Sequence, residues 1–256
     1  MNPEFYSKVA DRFGGYSSGA KRTEVFPDGD PEDAFDEITT RHGRVDAALL
    51  DVGCADGRNL LRIAPAFGRV HAIDLAPEML DSAVRHRAGS GLRHVEFELR
   101  DASATGYPDE AFDVVTSRRG PLFAREYLRV LKPGGSLVHL GIGEQDVREL
   151  KEVFGRGQLH GRWNDVPVAT RARAELEDAG FATAREQNFT YEEFFLTPAE
   201  LDTFLHMVPI FEDYDSEADG ELFSRYVATA SSDRGVRLGR HWFLLHVRKP
   251  ASASRS

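Results

Sequence analysis

Cys54 is the chain's only cysteine in 256 residues. It can form no internal disulfide and no multi-thiolate metal site, and such sparing use agrees with a reducing compartment. No apolar run reaches the roughly eighteen residues of a membrane-spanning helix. The opening stretch MNPEFYSKVADRF has no apolar signal core, so a cytoplasmic location is expected. Positive charge is also short, with 32 Lys and Arg against 42 Asp and Glu, a net charge of −10. Proteins that grip long nucleic acid or anionic membranes usually present a basic face, so both partners are disfavoured. The histidines show no H-E-x-x-H spacing, and no metal site is expected. Repeats are absent, and the small polar tail Ala251–Ser256 reads as frayed.

What is present is concentrated in LLDVGCADGRNL, Leu49 to Leu60. Ala47, Ala48, Leu49 and Leu50 are apolar without alternation, as in a central parallel strand covered on both faces. Asp51 closes the strand, and Gly53 and Gly57 follow in a turn that opens a helix. Ligands of open α/β sheets sit at the carboxyl ends of the strands, and a glycine there admits a close approach of backbone. The spacing points to a nucleotide-like ligand. A dinucleotide fingerprint would need glycine at 53, 55 and 58. Ala55 and Arg58 stand there instead, which argues against hydride transfer.

The following segments extend the pattern. Val70–Ile73 is a second strand ending in Asp74, a carboxylate able to accept from both hydroxyls of a ribose diol or, alternatively, to cap the helix Pro77–Arg87. Val95–Leu99 leads into Asp101 and Ala102, and Phe112–Thr116 is a fourth strand. A helix end, the turn Leu131-Lys132-Pro133-Gly134-Gly135 and a fifth strand through Leu140 complete the series. This succession over about residues 45 to 143 resembles the core of the class I S-adenosylmethionine-dependent methyltransferases of the ubiquinone-biosynthesis and small-molecule type, with Ala55 in place of the commoner middle glycine of the first motif.

The resemblance implies S-adenosyl-L-methionine as cofactor. It implies a binding set of Asp51, Gly53, Cys54, Ala55, Gly57, Asp74, Leu75, Met79, Asp101, Ala102 and Ser117, in which Asp101 takes the adenine amino group and the backbone of Ala102 reads the adjacent ring nitrogen. Cys54 reads as a small residue packed beneath the cofactor. The implied fold is α/β, a doubly wound seven-stranded sheet, mostly parallel with the last strand antiparallel, with helices on both faces and a small helical cap. One domain is expected. It comprises a helical leader over 1–44, a core over 45–196 and 241–250, and a cap over 197–240.

Outside the core, Phe5, Val9 and Phe13 share one face of a short leader helix that could pack over the cofactor mouth or simply dock on the core. Pro31–His42, Glu144–Gly157 and Val168–Gly180 read as further helices, Phe181–Phe195 as the sixth strand and His241–Val247 as the seventh. Helices at Pro198–Met207 and Glu221–Ser231 would form the cap.

Methyl transfer needs proximity more than a universal catalytic side chain. His206 and Tyr16 are the candidates for a base or lid group, with Tyr6 beside Tyr16 in the lid and cap packing the alternative for His206. Arg118 and Arg119, after the fourth strand, could clamp an acceptor's carboxylate or phosphate, or could pair with surface acids. His139 reads as a satisfied core histidine. The adenine-specific Asn/Asp-Pro-Pro-aromatic run is absent from 116–121. A small-molecule methyltransferase leads, ahead of an RNA-base methyltransferase, a catalytically silent cofactor-binding regulator and an NAD-dependent oxidoreductase.

Overall fold

The structure is a computed structural model that describes residues 3–17 and 19–251. The tail read as frayed therefore lies, beyond Ala251, outside the described residues.

Helix α1 (Pro3–Phe13) leads through β1 (Arg22–Val25) and α2 (Pro31–Thr40) into the first core strand, β2 (Ala48–Val52). Then follow α3 (Arg58–Ile63), β3 (Arg69–Asp74), α4 (Pro77–Ser90), β4 (Val95–Leu99), β5 (Phe112–Arg118) and α5 (Ala124–Val130). The second half holds β6 (Leu131–Ile142), α6 (Arg148–Phe154), α7 (Val168–Ala179) and β7 (Arg185–Phe195). It closes with α8 (Pro198–Leu205), α9 (Gly220–Ala230), β8 (Ser231–Ser232) and β9 (Gly235–Arg248).

All strands join one sheet in the order β1-β7-β9-β6-β5-β2-β3-β4, with β8 paired to β9. The five strands β4, β3, β2, β5 and β6 are parallel, and β9 runs antiparallel between β6 and β7. Chain order runs outward from β2 both ways, through β3 and β4 on one side and β5 and β6 on the other, which puts a crevice at its carboxyl end. Apolar clusters fill both faces. Leu50, Val52, Ile73 and Val115 of the strands share a cluster with Tyr127 of α5 and Leu176 of α7. Leu49, Leu60, Val70 and Leu80 pack under α3 and α4, and Phe35 of α2 covers Leu140 and Trp242.

The sheet has nine strands, which corrects the expected seven. The additional β1 pairs Arg22 with Phe195 and Val25 with Glu192 along the far edge. Its sequence, RTEV, has no apolar face to announce it. The last strand also begins at Gly235 rather than His241. Val236, Leu238 and Arg240 are buried in alternation, and a hairpin with β8 sets the register. The expected helix at 144–157 shrinks to Arg148–Phe154. Ahead of it Val147 sits at φ +52° and its N–H donates to the Gly239 carbonyl at 2.9 Å.

Three elements converge on one buried ion cluster. Arg240 of β9 meets Asp146 at 2.9 Å and Glu193 of β7 at 2.7 Å, and all three side chains are almost wholly buried. Arg22 of β1 reaches Glu193 at 3.1 Å. Removing one partner from such a cluster leaves a buried charge uncompensated, which typically costs about 3–5 kcal/mol. Asp146→Ala is expected to lower unfolding free energy by about that amount in urea titrations. Asp46→Ala, at an exposed carboxylate, should change it by less than about 0.5 kcal/mol.

Candidate active site

The glycine turn after β2 is shaped by backbone conformation. Gly53 and Gly57 lie at φ +71° and +73°, where side chains are disfavoured, and Ala55 accepts φ +46° between them. Both Gly53 and Cys54 donate their N–H to the Ile73 carbonyl of β3, at 2.8 and 3.1 Å. At Gly57 a Cβ would stand 2.7 Å from the Phe97 ring, so this position also sets how closely the helix packs on β4.

Two carboxylates flank the turn. Asp51 is buried on β2, with one oxygen accepting from the Thr116 hydroxyl at 2.7 Å. Burial pushes its carboxyl up to about 7, Thr116 opposes the shift and Asp74 adds to it. Asp74, buried at the tip of β3, accepts from the Ala55 N–H at 2.8 Å and the Ala76 N–H at 3.0 Å, one on each oxygen. Desolvation raises its pKa against those bonds. Among the described residues neither acid has a lysine or arginine ion-pair partner. A carboxylate has about four acceptor positions, so Asp74 retains two for hydroxyl donors.

The other expected residues spread around this centre. Cys54 is buried with Leu60 and Ile63, its thiol pushed well up by desolvation. Met79 is fully buried at the start of α4, whereas Leu75 is exposed. Asp101 is exposed beyond β4, its pKa lowered by the Ser103 N–H at 2.7 Å. Ala102 beside it is buried. The Arg100 N–H bonds the Asp74 carbonyl at 3.2 Å, tying this corner to β3. Ser117 is buried at the end of β5, its hydroxyl donating to the Pro121 carbonyl at 2.8 Å.

The two arginines part company. Arg118 turns to α2, bonding Glu32 and Asp36 and lying 4.2 Å over the Phe35 ring. Arg119, at φ +54°, stacks 4.6 Å over Trp242 and also bonds Glu32. His206 sits in the cap, its ring nitrogen 2.8 Å from the Ser216 hydroxyl and its ring edge-on to Tyr214.

Tyr16 lies beside the turn. Its N–H donates to Asp56 at 2.8 Å, and its ring is 5.8 Å from that of Tyr6. Burial raises its hydroxyl's pKa, and Arg119 and Arg240 only partly offset this, so the group remains a donor. Asp56 escaped the sequence reading, as did His139 Nδ1, which is buried with no hydrogen-bond partner. An ionisable residue inside an otherwise apolar strand was the one visible signal for His139. His71, Glu96 and Glu98 bring ligand-type atoms within 4.8 Å of one another, but Arg100 and Tyr107 already bond Glu98.

Fold and strand-tip geometry are similar to those of the class I S-adenosylmethionine-dependent methyltransferase core. Residues 49–135 match the methyltransferase domain family. A biotin biosynthesis bifunctional protein BioHC of Teredinibacter turnerae is 24% identical over 84% of this chain and 42% of its own length. The 2-methyl-6-phytyl-1,4-hydroquinone methyltransferase of Synechocystis is 36% identical over 48% of this chain and 42% of its own length. The chain thus spans less than half the length of these curated relatives. The crystal structure of the [4+2]-cyclase SpnF is similar with a TM-score of 0.64, at 21% identity, covering 97% of this chain and 96% of that one.

S-adenosylmethionine, the cofactor of this superfamily, suits the residues present. It carries a sulfonium and an ammonium, and the turn offers two buried carboxylates with no cation of the protein's own. A cation beside Asp51 should drive its proton off. Calorimetry at pH 6 is therefore expected to show net proton release on binding, read as an enthalpy that changes with the buffer's ionisation heat. Asp51→Asn should abolish that dependence. Asp74→Ala is expected to weaken binding by about 1.5–3 kcal/mol, the range for a charged hydrogen bond, with circular dichroism unchanged.

Proposed function

We propose that the chain catalyses transfer of the methyl group of S-adenosylmethionine to a small-molecule acceptor at O, N or C, and does so in the cytoplasm. The observation that carries this reading is the pair of buried carboxylates, Asp51 and Asp74, around a left-handed turn at the strand tips. Bound there, the cofactor supplies a methyl group on positively charged sulfur, which the acceptor's lone pair takes in line as the carbon–sulfur electron pair returns to sulfur.

The chain's residues bind and orient. Asp74 would accept from the ribose hydroxyls, and Asp101 with the Ala102 backbone would read the adenine edge. Met79 and Cys54 form apolar packing beneath. Leader and cap exclude water. Phe5 and Val9 of α1 share one apolar cluster with Met79, Leu150 of α6 and Leu201, Phe204 and Leu205 of α8. Exclusion of water strengthens the carboxylates' attraction for a cationic ligand. Tyr16 would offer a hydrogen-bond donor rather than a base, because burial holds its proton. Arg119, bound to one acid where Arg118 is bound to two, would be the arginine to meet an acceptor.

Positioning alone can lower the barrier by up to about 7–11 kcal/mol, so the chemistry does not depend on a dedicated base. A relative named as a hydroquinone methyltransferase supports a small acceptor. The test is calorimetric titration with S-adenosylmethionine, followed by a radiolabelled-methyl screen against a metabolite extract and total RNA. Saturable binding with label in the metabolite fraction is expected. Label in RNA alone, or tight binding with no transfer to either fraction, would overturn the proposal.

A further inference from the structure

Beside the glycine turn, a cleft of about 910 Å³ opens between the end of β6 and the segment running from Gly157 into α7. Its near end is the loop after β5, Arg119 and Gly120. A Cβ on Gly120 would lie 2.9 Å from the Val52 carbonyl and 3.8 Å from Gly53 Cα, so the cofactor turn begins where the cleft stops. Leader and cap, by contrast, meet each other in a continuous apolar cluster.

We infer that this cleft binds the methyl acceptor, and that the acceptor is an acid with an apolar body, carrying a carboxylate or a phosphate. The inference rests on the methyltransferase reading for the word acceptor, and on the cleft's own chemistry for the class of ligand.

Two independent features support it. The first is His139 in the wall. Its side chain is 5% exposed, and its Nδ1 has no hydrogen-bond partner. Burial lowers its pKa to about 4 against a backbone hydrogen bond at Ser117, so at neutral pH the ring is uncharged. An unmet buried polar atom is costly to a fold, and a ligand group would satisfy it. The second is charge. The chain carries a net charge of −10, yet the cleft gathers Lys151, Arg162 and Arg171 against one lining acid, Glu175, in addition to Arg119, whose charge is met by Glu32. Lys151 donates to the Asp146 carbonyl at 2.7 Å, its pKa lowered by burial to about 8, which leaves it mostly cationic at pH 7. Arg162, in the segment before α7, and Arg171, in α7, are exposed with no ion-pair partner among the described residues, which leaves them free for an anion. Leu122 and Phe243 supply the apolar wall. The volume falls in the usual range for small-molecule sites, roughly 300–1,000 Å³.

The test uses the full chain labelled with ¹⁵N-histidine and titrated with benzoate, phenyl phosphate and phenol. Both acids, or one of them, should shift the His139 ring signals saturably, the signals being assigned by their loss in His139→Gln. The tighter acid identifies the anionic group. The Arg162→Ala, Arg171→Ala double variant, altered only at exposed positions, should raise the Kd for the acids at least tenfold and leave phenol unaffected. Phenol binding as tightly as the acids, an unchanged Kd in the double variant, or shifts confined to other histidines would overturn the inference. Calorimetry with S-adenosylhomocysteine runs separately. Acid binding without S-adenosylhomocysteine binding would sink the methyltransferase reading and leave the acid-binding cleft standing, and the reverse result would sink the cleft alone.

Discussion

Everything at the strand tips of this protein is organised around two buried carboxylates, Asp51 and Asp74, with no lysine or arginine ion-pair partner among the described residues. Parallel register causes their proximity. Val52 pairs with Ile73, so Asp74 falls opposite Gly53, and Asp51 lies one residue before that pair on β2. A fold can hold such charges only by desolvating them at a cost or by surrounding them with donors. This one uses Thr116 on one side and the backbone of Ala55 and Ala76 on the other. The left-handed conformations at 53, 55 and 57 are what turn those backbone donors inward.

Unbalanced negative charge also explains why the leader and cap surround this corner with apolar side chains. An ionic cap would compete with a cationic ligand for the same carboxylates. The leader instead docks through a neutral hydroxyl, Ser7, to Glu78, and through backbone at Gly14 and Tyr16 to Ser82 and Asp56. The buried Arg240, Asp146 and Glu193 cluster holds the opposite flank, where β9 meets β7.

The legible parts of the chain were those with local causes. The turn at Gly53–Gly57, the strand tip at Asp74, Pro77 at a helix start and the bounds of β4 follow from a few neighbouring residues, and the structure has them where the sequence places them. Strand β1 was invisible because its stabilisation comes from β7, far along the chain, and a charged edge strand needs no apolar face. Arg237 and Arg240 hid the alternation of β9, since the partners that make Arg240 a core residue belong to other elements. Arg118 and Arg119 were indistinguishable as neighbours in sequence. A left-handed backbone at 119 sends one toward Phe35 and the other over Trp242. His139 looked satisfied because its missing partner is a fact of three-dimensional packing alone.

Strand β1 has a mechanical meaning. It pins the chain just after the leader to the far edge of the sheet, through Phe195 and its neighbours. The leader is therefore a door hung on a short strap. Between Phe13 and Arg22 the strap reaches at most roughly 30–32 Å when drawn out straight. A helix so tethered stays at a high local concentration beside its seat, where buried Phe5, Val9 and Ala10 add to the contacts of Ser7, Gly14 and Tyr16.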